Sequence, residues 1–475
     1  MKTTFFTKVL LASTFFNFAL CTLNLEVSTV HAGGLLTNTN QSAAFIRNPS
    51  RDAVIDIDGV YMNPAGVNFM NPGFHFNLSW QNAKQSRDIT TTFPTLAQNV
   101  DYVGQASRKY HGKALAPVIP SFQLAYVWDK WTVSGGFGLG GGGGKCEFDN
   151  GLGSFEVPYS ALISSTMKNM GLTTGGYSLD AWMKGRQYYF GLQVGAGYKI
   201  HDNVSVYLGL RAVYATCNYN GYVRNIQLYQ NAADKSTLIP DAYLQSLGIN
   251  LQNYDITLDT DQSDLGWTPI LGIDWKINKH WNLAAKYEFE THMNLKNHTK
   301  KLSPAAQQIA TIDRFNENKT GYIAEDIPSI LTVGAQYTPI DKVRLMAGWH
   351  FYFDRESEKY NHEEKNIKKG TMELSAGAEW DVIKQLTVSA GWQTTRYRLG
   401  DSYMQDLSFN TTNNMLCAGV RIHATERVSF DLGYMHTFYK SHDVTTPDYQ
   451  GSGIDKKDHY IRSNRVIAAG VNIDF

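Results

Sequence analysis

From Pro72 to the C-terminus, apolar and polar positions alternate with period two in runs of about ten residues. That period turns successive side chains to opposite faces of a strand, so each run predicts a β-strand with one apolar and one polar face. The run Tyr188–Tyr198 shows it most clearly. Its even positions (Phe190, Leu192, Val194) are apolar, and its odd positions (Gly191, Gln193, Gly195) are mostly small or polar. Fourteen strands are predicted, near 73–82, 120–129, 131–140, 186–200, 204–216, 265–277, 281–294, 328–338, 343–353, 371–382, 386–397, 413–423, 427–438 and 462–475.

A soluble two-sheet sandwich would alternate in the same way, and the connections separate the two architectures. Every second link is short: Asp129-Lys130, His201 to Asn203, Asn278 to His280, Pro339 to Lys342, Ile383 to Gln385 and Ala424 to Glu426. The links between them run from about a dozen to about forty-five residues. Strict alternation puts all tight turns at one end and all long loops at the other. An even-stranded transmembrane barrel shows this asymmetry, with short periplasmic turns and long extracellular loops. Trp128, Trp131, Trp275, Trp281 and Trp380 flank the tight turns, where indoles would form an aromatic girdle at the membrane interface. The predicted fold is an all-β, 14-stranded antiparallel transmembrane barrel. Unpaired strand edges are not tolerated in lipid, so its last strand must pair with its first.

Residues 1–32 read as a signal peptide, with Lys2 and Lys8 before an apolar stretch from Val9 to Leu20 and a small-x-small site at Val30-His31-Ala32. The apolar stretch is too short for a membrane helix, which needs ~20 residues. Residues 33–71 do not alternate and are too few for a core of their own. Their place is the lumen of the barrel formed by residues 72–475, as a plug. Within them Asn63, Pro64, Ala65 and Gly66 are strong turn formers.

Composition agrees with a barrel. Aromatic residues reach 13%, with 41 Gly, while mean hydropathy stays mildly negative at −0.31, because lipid-facing and lumen-facing side chains cancel in the mean. The formal net charge of zero gives no reason to expect a nucleic-acid partner. Cys146, Cys217 and Cys417 follow no metal-ligand spacing; a Cys146–Cys217 bridge and free thiols are both compatible with the sequence. No nucleotide-binding motif is present, and no cofactor is expected. In the Gly-rich stretch, Leu139 stands where a P-loop needs Gly and Cys146 where it needs Ser or Thr.

A signal peptide, a plug carrying Asn63-Pro64-Ala65 just before the first strand, and fourteen strands together resemble the FadL-type outer-membrane transporters of long-chain fatty acids and other hydrophobic compounds. Gly33-Gly34-Leu35-Leu36, with Gln41-Ser42 shortly after, is similar to the start of that family's mature chains. The closing Phe475 looks like the terminal signal read by the barrel assembly machinery. The resemblance implies a protein of the outer membrane, acting as a monomer in its lipid. Hydrophobic ligand would be captured at the outer loops, pass the plug, and leave sideways through a distorted third strand.

Gly135, Gly136, Gly138 and Gly140 lie on that strand, where glycines mark bends or bulges; a flexible lead into the following loop would look the same. In the loop after it, Phe155, Tyr159, Leu162, Ile163, Met167 and Met170 recur at helical spacing. They would form a capture surface or pack on a second loop helix containing Leu238, Ile239, Tyr243, Leu244 and Leu247. Strand parity turns Arg211, Lys286, Glu288, Arg344, His350, Glu373, Glu379, Arg421 and Asp431 inward. Of these, Arg211, Lys286 and Arg344 are candidates to hold a fatty carboxylate, although lumenal charges can equally pair with one another or with the plug. Haem or aromatic hydrocarbons are alternative ligands for the same barrel, and a structural or porin-like barrel is a further alternative. A barrel enzyme would need a clustered nucleophile signature, and no Gly-x-Ser-x-Gly is present.

Overall fold

The computed structural model describes Thr37, residues 42–404, Asp406 and residues 409–475. The predicted signal peptide, Gly33 to Leu36 and Gln41 lie outside the described residues. The wall is made of β1 (Gly73–Thr92), β2 (Ser107–Trp128), β3 (Trp131–Phe148), β4 (Gly176–His201), β5 (Val204–Tyr229), β6 (Ile256–Lys276) and β7 (Trp281–Glu288). It continues with β8 (Asn294–Leu302), β9 (Tyr322–Ala324), β10 (Ile330–Ile340), β11 (Val343–Tyr352), β12 (Met372–Ile383) and β13 (Leu386–Arg396). β14 (Asn413–His423), β15 (Val428–Tyr439), β16 (His442–Thr446) and β17 (Lys456–Asp474) complete it.

Three of these segments continue others. β8 pairs with β6 beyond the reach of β7, β9 pairs with β8 as β10 pairs with β7, and β16 extends β15 along β17. The result is one closed barrel of fourteen antiparallel wall strands. β1 and β17 seal it from His75↔Asp474 to Thr92↔Lys457.

The strand cores and all six tight turns follow the alternation, but β1 to β6 run about ten residues past their predicted ends, always towards the long loops. Above the bilayer neither face meets lipid, so alternation fades while the ladder hydrogen bonds persist. Polar pairs such as Asn218↔Asp261 stand there. The single strand expected at 281–294 breaks after Glu288 and resumes at Asn294. The five tight-turn tryptophans are all exposed, and three of them meet an aromatic neighbour: Trp281 stacks on Tyr337, while Trp128 and Trp131 lie tilted against Tyr126 and Tyr198. About ten residues higher, Tyr214, Trp267 and Phe438 are exposed in turn. At ~3.3 Å per residue and a tilt of ~40°, that separation approaches the ~25 Å apolar band of outer-membrane barrels.

The long loops pack into a cap. Its centre is α2 (Gly153–Asn169), which buries Phe155, Tyr159, Leu162, Ile163 and Met167. Ile239 and Leu244 of the next loop, together with Ile309 and Ile312 of a third, belong to the same apolar cluster. Glu156 fixes the helix to the wall, accepting hydrogen bonds from Tyr110 Oη at 2.7 Å, Asn99 Nδ2 at 2.8 Å and Tyr177 Oη at 3.1 Å, and pairing with Arg108. Cys146, Cys217 and Cys417 are buried free thiols.

The seam can be tested directly. Asn77 and Asn472 are register partners on β1 and β17, and directly opposed Cβ atoms sit ~4.5–5.5 Å apart, close to disulfide reach. Asn77→Cys with Asn472→Cys is expected to cross-link on oxidation and to give an altered, reductant-sensitive gel mobility after heating. An unreactive pair would contradict the closed seam.

Candidate functional site: a plugged lumen with an opening in its wall

The plug descends through the lumen. Thr37 Oγ1 contacts Tyr397 Oη at 2.5 Å at the long-loop end of β13. Next comes α1 (Ala43–Arg47), N-capped by Ser42, whose Oγ accepts from Phe45 N at 3.1 Å. The Asn63-Pro64-Ala65 turn lies near the tight-turn end. Asn63 Nδ2 donates to Asp274 Oδ2 at 2.6 Å, Asn63 Oδ1 accepts from Gly66 N at 3.2 Å, and Ser205 Oγ donates to the Ala65 carbonyl at 2.8 Å. Asn63 therefore closes its own turn and ties it to β6.

Glycines in the wall let the plug backbone come close. A Cβ on Gly334 would stand 2.6 Å from Asp52 C and 2.7 Å from Ala53 N, and one on Gly433 2.8 Å from Arg47 N. Both approaches are to main chain, which cannot swing aside as a side chain would.

Ion pairs complete the fixing. Arg47 meets Asp431 at 2.8 Å and Glu379 at 2.9 Å; Arg51 meets Asp56 at 2.9 Å and Glu379 at 3.0 Å, and also pairs with Asp58. Arg421 joins Asp56 at 2.7 Å to Asp431 at 2.8 Å, and Arg344 joins Glu379 at 3.2 Å to Asp381 at 2.7 Å. His350 bridges Asp52 of the plug and Glu373 of the wall at 2.9 and 3.0 Å. On the far side, Arg211 and Lys286 share Glu288 at 2.5 and 2.7 Å, flank the Tyr61 ring, and Lys286 Nζ donates to the Tyr61 carbonyl at 2.7 Å.

The nine charges that strand parity turns inward thus stand in plug and wall pairs. The three proposed carboxylate binders, Arg211, Lys286 and Arg344, each already hold a protein carboxylate. Leu162 and Met167 are in the interior of the loop cap, and Met170 caps α2 half-buried.

The wall is interrupted between β2 and β3. The β2–β3 ladder jumps from Lys113↔Glu147 to Phe122↔Phe137, leaving residues 114–121 opposite 138–146 without ladder pairs. On the β1 side β2 stays paired, for example Ala83↔Ala116. Two features of sequence cause this. Pro117 and Pro120 have no N–H to donate to a ladder. Gly142 and Gly144 hold φ of +106° and +69°, a region open to glycine, and the β3–β4 register shifts twice around Gly141. Gly135 and Gly136 sit in regular ladder, whereas Gly138 and Gly140 stand at the margin of the gap.

Behind the opening lies a cavity of about 200 Å³. Leu115, Ala116, Ile119 and Leu139 line its wall side, and Arg87, Tyr397, Met435 and Arg462 its lumenal side, with Thr37 above the plug. Arg87, Arg462 and the two prolines were missed by sequence reasoning. Pro117 and Pro120 so close to an alternating run were the available signal; nothing local marked the arginines.

Among the described residues, one trio brings metal-type ligand atoms within 4.8 Å of one another: Glu290, His292 and Asp326, in loops. His292 Nδ1 and Asp326 Oδ2 are 2.8 Å apart. This hydrogen bond holds the imidazole above its ordinary pKa and satisfies the pair without an ion.

A closed fourteen-stranded barrel, plugged below, capped above and interrupted in its side between β2 and β3, defines an outer-membrane transport channel. A family model described as outer membrane protein transport protein (OMPP1/FadL/TodX) matches residues 187–475. The chain belongs to this family, whose members are transport channels for hydrophobic compounds and not enzymes. Similar solved structures agree on the fold. A Pseudomonas aeruginosa FadL homologue is 13% identical over 93% of this chain and 99% of its own, with a TM-score of 0.64. The Pseudomonas putida toluene transporter TodX is 12% identical over 93% and 100%, at 0.56. The Ralstonia pickettii toluene transporter TbuX is 15% identical over 95% and 99%, at 0.51. No curated protein matches the chain by sequence.

Two variants test the plug. Gly334→Val and Gly433→Val each place methyl groups against plug backbone, and are expected to raise ion conductance in planar bilayers while the barrel stays heat-modifiable. Glu379→Gln removes the carboxylate shared by Arg47, Arg51 and Arg344; losing one side of a buried pair costs roughly 3–5 kcal/mol. The expected outcome is increased leak with the strand content unchanged by circular dichroism.

Proposed function

We propose that the protein carries long-chain fatty acids, taken up at the loop cap and released sideways through the β2–β3 opening into the outer membrane. The opening supports this reading most directly. A straight path down the lumen is filled by the plug, which is tied to the wall on several sides by the pairs described above. The cavity beside the opening has an apolar wall side and lies just inside it. A hydrophobic molecule moving from there into lipid would never enter the aqueous periplasm, so it would pay no cost of exposing its apolar surface to water. Flux along this route follows the ligand gradient. Arg211, Lys286 and Arg344 serve in this reading as plug and wall anchors, and Leu162 and Met167 hold the cap together.

Monoaromatic hydrocarbons are the second reading. The toluene transporters TodX and TbuX share this fold, which supports that reading.

Ala116→Trp fills the opening from the cavity side. Uptake of labelled oleate by cells or proteoliposomes is expected to fall about tenfold or more, with equilibrium oleate binding retained, as blocking a passage predicts. Unchanged uptake would rule out the lateral route.

A further inference from the structure

On the outside of the barrel, where the apolar band ends, the wall carries charge that no acid answers. Leu78 and Trp80 of β1 and Ile467 of β17 are exposed on the lipid face. Strand parity puts Lys84 and Arg465 on that same face, and both are exposed. They are register partners across the β1–β17 seam. Each stands about ten residues from the tight-turn end of its strand. Tyr214, Trp267 and Phe438 are exposed at the same height, so the two cations stand level with the headgroups of the outer leaflet.

Like charges directly opposed across a ladder repel. Other exposed cations of the upper wall face acids: Lys109 and His111 share Asp88 at 3.5 and 2.5 Å, and Lys300 meets Asp261 at 2.5 Å. Neither Lys84 nor Arg465 forms an ion pair among the described residues. One step further from the bilayer, Ser86 and Ser463 are also register partners, with hydroxyl oxygens 3.0 Å apart. Two hydroxyls that bond each other leave one O–H to donate outward. Lys113 of β2 stands directly across from Ser86 and reaches Asp149 only at 3.8 Å. Three strands thus bring three cations and two hydroxyls to one patch.

We propose that Lys84, Arg465 and Lys113, with Ser86 and Ser463, dock a phosphate of lipopolysaccharide, the phosphorylated and multiply acylated glycolipid of the outer leaflet. An anion held there replaces repulsion with attraction. The guanidinium offers phosphate a planar fork, the ammonium groups act as point charges, and the hydroxyl donates. Basic clusters at headgroup height recognise anionic lipid in this way. Below the patch, Trp80, Ile467 and Tyr434 are exposed and give acyl chains an apolar surface to lie on. Long loops face the cell exterior, which puts the patch in the lipopolysaccharide leaflet and not in the phospholipid leaflet beneath it. The site lies outside the lumen and does not depend on which compound the channel carries.

The test is native mass spectrometry of the purified, delipidated barrel in mild detergent. The probes are bisphosphorylated lipid A, dephosphorylated lipid A, phosphatidylglycerol and inorganic phosphate. Wild type is expected to retain a single lipid A and to bind it more tightly than the dephosphorylated form or phosphatidylglycerol. Lys84→Gln with Arg465→Gln should weaken lipid A binding about thirtyfold, the scale of two charges lost at headgroup height. The charge-keeping exchange, Lys84→Arg with Arg465→Lys, should retain it. In lipid-free detergent the Gln variant should melt no lower than wild type, because a repulsion has been removed. Equal affinity of wild type and Gln variant, or of the two forms of lipid A, would overturn the proposal. Phosphatidylglycerol bound as tightly as lipid A would overturn the assignment to lipopolysaccharide. Displacement of lipid A by inorganic phosphate at equal concentration would reduce the patch to a bare anion site and overturn it as well. A lower melting temperature together with lost binding would assign these residues to the fold instead.

Discussion

In a bilayer a strand edge has no water to bond to, so every backbone donor and acceptor of the wall must find a partner within the sheet. The rest of this molecule follows from that constraint. It requires the long seam between β1 and β17, which joins the first wall strand to the last. It also gives significance to the single stretch where β2 and β3 part company. Proline withdraws donors on one side, and left-handed glycines turn the chain away on the other. The interruption is thus written into covalent structure, and it is backed by a cavity that continues from it into the lumen.

Closure creates a second demand, because a barrel of this size encloses a lumen that must be filled. Residues 42–72 fill it with little secondary structure of their own, and are held by wall groups on several sides. Wall glycines admit the plug backbone, Asp274 and Ser205 receive the Asn63 turn, and a web of arginines and carboxylates spans plug and wall. Buried pairs of this kind fix position more than they add stability, since desolvation offsets much of the attraction.

Much of this architecture was legible in the chain. Period-two alternation placed the strands, the rhythm of short and long links distinguished a membrane barrel from a sandwich, and tryptophans marked the tight-turn interface. Parity turned the right charges inward, because lipid on one face and a polar lumen on the other impose the same rule on every strand. The upper halves of β1 to β6 escaped notice because that rule ends where the bilayer ends. The break at Phe289 to Met293, between β7 and β8, interrupts a run whose pattern gave no warning of it.

Sequence by itself therefore determined the barrel, its strand count and the presence of a plug, since these depend on periodicities and link lengths read locally. Only the tertiary structure decided which inward charges are spent on one another. Arg211, Lys286 and Arg344 looked like ligand sites until Glu288, Glu379 and Asp381 were found beside them. Arg87 and Arg462, hundreds of residues apart, became a pair only when β1 met β17. Coulomb interactions fall off with distance in space, not along the chain, and strand closure sets those distances.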